Sequence, residues 1–94
     1  MEYKRIVQTV GETPAYLAIA GKLFIEDERA DIVTLVAADP ERGDLIRDRR
    51  IRKVRMARKG TGRSRGACVV YIWRNARFPV FLITVFPSDP KPKN

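Results

Sequence analysis

Two nearly unbroken apolar, β-rich runs, residues 67–73 (ACVVYIW) and 79–86 (PVFLITVF), are separated only by residues 74–78. A link that short cannot hold the crossover helix a parallel pair needs, so the runs are predicted to be antiparallel neighbours. Residues 51–57 (IRKVRMA) join the first run through the glycine-rich stretch 58–66 (RKGTGRSRG), which reads as a basic hairpin loop. Asn75-Ala76-Arg77 supplies a tighter turn. A three-stranded meander results, and its apolar face has to be covered by the rest of the chain.

The N-terminal half supplies that cover. Thr13-Pro14 is a helix start, with threonine as N-cap and proline in the first turn, and Leu17, Ala20, Leu23 and Phe24 follow at helical spacing. This predicts a helix over 14–24. Glu26-Asp27-Glu28 suits the positive end of a second helix, striped by Ile32, Leu35 and Val36 and stopped at Asp39-Pro40. Residues 3–9 (YKRIVQT) read as an edge strand ending at Gly11 and Glu12. The expected class is α+β: an N-terminal strand, a helical hairpin, then an antiparallel β-meander with the helices packed on one face. One domain over 1–86 is predicted, followed by a tail over 87–94 whose three prolines preclude a regular helix.

Charge is divided unevenly along the chain. Residues 1–44 hold five Lys/Arg against nine Asp/Glu, net −4, and residues 45–94 hold fourteen against two, net +12. Ten of the basic residues fall between Arg47 and Arg65, with Asp48 the single acid among them. A solvated surface is the usual reading of a charge run. Here mutual repulsion costs folded-state stability, and the preference for arginine suits bidentate phosphate recognition, so a polyanion is the expected partner. With one cysteine and no histidine, neither an intramolecular disulfide nor an ordinary zinc site is expected. No apolar run suits a signal peptide or a membrane span, so the expected location is the cytoplasm.

Strand alternation sorts the candidates. It places Val54 and Met56 towards the helices and Lys53 and Arg55 side by side on the opposite, open face. In residues 67–73 both alternating sets are apolar, so parity leaves the faces open. Trp73 and Phe86 are expected in the core, as large aromatics usually are, and Cys68 as a small buried hydrophobe. Tyr16 is expected to be structural or at an interface. Tyr71 stands evenly between core residue and nucleobase platform.

Several strings, taken together, are similar to those of the RelE/HigB-like toxins of type II toxin-antitoxin systems: DPERGDLI at 39–46, IRKVRMA at 51–57, GTGRSRG at 60–66, VVY at 69–71 and FLITVF at 81–86. The resemblance covers nearly the whole chain. It implies a compact microbial-RNase-like toxin, held by a cognate antitoxin, that enters the ribosome and cleaves mRNA without metal or other cofactor. Under the resemblance Lys53 and Arg55 take the family's paired basic strand positions, where they hold the scissile phosphate and stabilise its developing charge. Arg52, Arg58, Lys59, Arg63, Arg65 and Tyr71 are the further RNA-binding candidates. Two departures stand out: Cys68 occupies a position where relatives usually carry arginine, and the proline-rich end replaces a basic segment and helix. A weakened or non-catalytic relative that binds RNA and antitoxin is therefore the alternative, with a ParE-like gyrase inhibitor behind it.

Overall fold

A computed structural model describes residues 7–47, 50–57 and 66–88. Their elements are β1 (Val10–Glu12), α1 (Pro14–Leu23), α2 (Glu26–Ala38), β2 (Asp44–Leu45), β3 (Ile51–Ala57), β4 (Gly66–Ile72) and β5 (Val80–Ser88). The strands form one mixed sheet in the order β1-β5-β4-β3-β2. β3, β4 and β5 are the antiparallel meander that the short connections require, and β1 is added in parallel along β5. The fold is α+β. No helix among the described residues is long and apolar enough to cross a membrane.

Both helices begin where the sequence signals them. The Thr13 hydroxyl accepts the Tyr16 N–H at 3.2 Å and donates to the Leu82 carbonyl at 2.8 Å, so one side chain caps α1 and fixes it to β5. At the start of α2 a Glu28 carboxylate oxygen accepts the Ile25 N–H at 2.9 Å. An ion pair between Arg29 and Glu12, 3.4 Å long, ties α2 to β1.

The N-terminal strand differs from expectation. It lies at Val10–Glu12, through the residues read as a turn, while 1–6 lie outside the described residues. Gly11 serves close packing: a Cβ there would stand 3.0 Å from the Phe81 ring on the neighbouring strand. β2 was not anticipated, because two residues are too short to show a period. β5 continues through Pro87, where β1 no longer pairs with it and a missing N–H is tolerated.

The core lies between the helices and one face of the sheet, built from Tyr16, Ala20, Phe24, Ile32 and Val36 against Val69, Tyr71, Val80, Leu82 and Val85. On α1 the buried residues are Tyr16 and Ala20, continued by the C-cap Phe24, and Leu17, expected inside, is 36% exposed. Tyr16 is structural. Its hydroxyl is buried without a hydrogen-bond partner among the described residues, and burial, reinforced by Glu12 and opposed by Arg29, pushes its pKa from 10.0 up to about 12. The folded chain thus keeps a proton that the unfolded chain releases, so this contribution to stability is intact below pH 10 and is lost between about pH 10 and 12. Tyr16→Phe is expected to leave neutral-pH stability equal or about 1 kcal/mol higher, and to shrink the alkaline loss. Urea unfolding across that range checks both; a variant clearly less stable at neutral pH contradicts the assignment.

Candidate nucleic-acid interface

The helices settle which face of the meander is open. Ala67, Val69 and Tyr71 are buried on the helix side, and Cys68, Val70 and Ile72 line the other side, half-buried. On β3, Val54 and Met56 pack against the core while Lys53 and Arg55 are exposed. Pairing across the strands turns this into rows: Lys53 lies beside Val70 and Thr84, and Arg55 beside Cys68 and Phe86.

Lys53 and Arg55 border a recess of about 310 Å³ whose other lining residues are Arg42, Asp44, Val54 and Cys68. Asp44 is paired in register with Lys53 through β2, so a carboxylate is brought beside the two cations. Gly66 helps place Arg55: a Cβ there would stand 2.8 Å from its Nε and 3.1 Å from Nη2, so the glycine leaves room for the guanidinium over the β4 backbone. Arg42 and Asp44 were not singled out as functional from sequence. Both fall within the DPERGDLI string, but only the β2–β3 pairing brings them to the cations.

Two residues expected to touch RNA help to build the site. Tyr71 is fully buried, so no face of its ring is open to a base. Its hydroxyl donates to the Pro40 carbonyl at 2.7 Å and accepts the Gly43 N–H at 2.9 Å. Burial raises its pKa, against the lowering effects of the Gly43 N–H and of Arg52. Arg52 shares Tyr71's cross-strand row, on the side away from Lys53, and donates to the carbonyls of Gly43 at 2.7 Å and Glu41 at 3.0 Å. Together they fasten the turn between α2 and β2, which carries Arg42 and Asp44 to the recess.

No family model matches this chain, and no curated protein is significantly similar to it in sequence. Arg58, Lys59, Arg63 and Arg65 lie outside the described residues, as does the tail beyond Ser88. Cys68, expected as a buried hydrophobe, is half-buried and lines the recess. Phe86, expected in the core, is 45% exposed, and Trp73 packs at the core margin. Among the described residues, no three His, Cys, Asp or Glu side chains are grouped as metal ligands would be.

Proposed function

We propose that this chain is a ribosome-dependent mRNA endoribonuclease of the RelE/HigB kind, a cytoplasmic toxin neutralised by a cognate antitoxin. The observation that carries the proposal is the pair of exposed cations on the face turned away from α1 and α2, Lys53 and Arg55, beside a recess that also holds a carboxylate. In such a reaction the RNA 2′-oxygen attacks the adjacent phosphorus, loses its proton, and expels the 5′-oxygen, which takes one up. Arg55 and Lys53 supply positive charge where the phosphorane becomes more negative. Asp44 is the carboxylate of the recess and the acceptor for the 2′-hydroxyl proton, and the Lys53 ammonium is a donor for the leaving oxygen. The +12 half of the chain, which includes the basic stretch 58–65, suits ribosomal and messenger RNA backbone.

The test is mRNA cleavage by the purified chain on translating ribosomes. Cleavage of ribosome-bound message is the expected result; intact message at saturating protein would overturn the nuclease reading. Cys68 favours a second reading. It sits in Arg55's row and lines the recess, where a thiol supplies no bidentate phosphate contact, so the chain could bind RNA and antitoxin with little cleavage. Cys68→Arg is expected to raise cleavage by about tenfold or more, since a well-placed charge donor is worth at least that much in a transition state. No cleavage by either form, with RNA binding intact, would decide for the binding role.

A further inference from the structure

A bulge in β5 exposes an aromatic ring in the cross-strand row of Arg55, two strands away from it. Pairing of β4 with β5 runs from Gly66↔Ser88 to Val70↔Thr84 and resumes at Tyr71↔Leu82, which makes Ile83 the extra residue. In an unbroken strand Phe86 would share the face of Val80 and Leu82, both fully buried. The extra residue instead turns Val85 inward, 2% exposed, and Phe86 outward, 45% exposed, in the row of Cys68 and Arg55. The neighbouring row is Thr84, Val70 and Lys53. Bulges beside functional sites commonly re-aim a side chain, and this one places a large apolar ring in water on the sheet face that carries Lys53 and Arg55.

We infer that Phe86 is the floor of a nucleobase subsite, on which one unpaired base of single-stranded RNA stacks while Arg55 and Lys53 hold the adjoining phosphates. The inference rests on the RNA reading above and adds the residue that receives a base. Cations bind phosphate in single strands and duplexes alike, whereas an aromatic platform takes only a base freed from its own stack. The Cα atoms of Phe86 and Arg55 are two strand spacings apart, roughly 10 Å, so an arginine side chain can reach a phosphate next to a base seated on the ring. Charge complementarity favours this occupant over an apolar side chain of a second copy, because that copy carries the same +12 half.

The experiment measures binding of a short single-stranded RNA, its 2′-hydroxyls methylated to block cleavage, and of the same strand with one abasic position placed along it in turn. Phe86→Leu is expected to weaken the intact strand about tenfold. It should leave unchanged the affinity for the strand whose missing base is the one seated on the ring, and Phe86→Trp should restore or strengthen binding. Phe78→Leu, an equally exposed ring in the turn at the other end of β5, is expected to change neither affinity. Equal binding of the intact strand by Phe86→Leu and parent, with binding lost in Lys53→Ala/Arg55→Ala, overturns the subsite and leaves the RNA reading standing. A parent that binds no RNA overturns both. Self-association of the parent that Phe86→Leu abolishes would give this face to a second copy and likewise overturn the subsite.

Discussion

Replacing Lys53 and Arg55 together by alanine is expected to abolish mRNA cleavage on translating ribosomes, each lost charge costing on the order of 100-fold in the cleavage step. Both side chains are exposed on the face turned away from α1 and α2, so stability should change by no more than about 0.5 kcal/mol. The two losses need not multiply, because groups that act on one phosphate act as a unit. Conservative exchanges separate their roles. Arg55→Lys removes the planar fork and should remain impaired, and Lys53→Arg keeps the charge but gives the leaving oxygen no proton, so it should retain RNA affinity while cleavage stays slow. Asp44→Asn is expected to slow cleavage while retaining RNA affinity, since an amide cannot take up the 2′-hydroxyl proton. Single-turnover cleavage and RNA binding, measured side by side, check this set. A double alanine variant that cleaves like the parent would remove Lys53 and Arg55 from the chemistry.

Gly43→Ala is expected to destabilise the fold. The added Cβ would stand 2.7 Å from the Lys53 carbonyl oxygen and 2.9 Å from the Tyr71 hydroxyl, and the nearer obstacle is backbone that cannot swing aside. Overpacking of this kind costs about 1–3 kcal/mol. Tyr71→Phe acts on the same turn from the other side: it leaves the Gly43 N–H and the Pro40 carbonyl without their phenol partner, at a cost of about 1–3 kcal/mol. The double variant should lose less than the sum, because either change alone already loosens the turn. Both single variants should also lower cleavage, although neither residue touches RNA, because the turn delivers Arg42 and Asp44 to the recess. Urea unfolding with parallel cleavage assays tests the coupling. An unchanged midpoint in Tyr71→Phe would show that the turn does not depend on the phenol. Tyr16→Phe is the useful contrast, the same chemical change at a hydroxyl without a protein partner among the described residues, and is expected to act in the opposite direction.

Much of the architecture was legible because local rules act over a few residues. Thr13-Pro14 starts α1 as read, Asp39 ends α2, and the short link at 74–78 makes β4 and β5 antiparallel. The period of two on β3 separates Lys53 and Arg55 from Val54 and Met56 because only one alternating set there is apolar.

Other features depended on partners distant in the chain. The two faces of β4 are equally apolar in sequence, and only the helices lying on one of them bury Val69 and Tyr71 and leave Cys68 and Val70 on the open side. Arg52 belongs to the same basic run as Lys53, yet the turn carbonyls fix its guanidinium on the other side of the sheet. A single extra residue at Ile83 reverses the parity of β5, bringing Val85 inside and Phe86 outside, and no propensity within FLITVF marks that position. Sequence alone therefore determined the elements, their order and the positive charge of the second half, because these follow from spacing and composition. Which aromatic rings are buried, which cations meet the recess and which carboxylate joins them was decided by tertiary structure, since each depends on a contact between strands or on a turn pressed against the sheet.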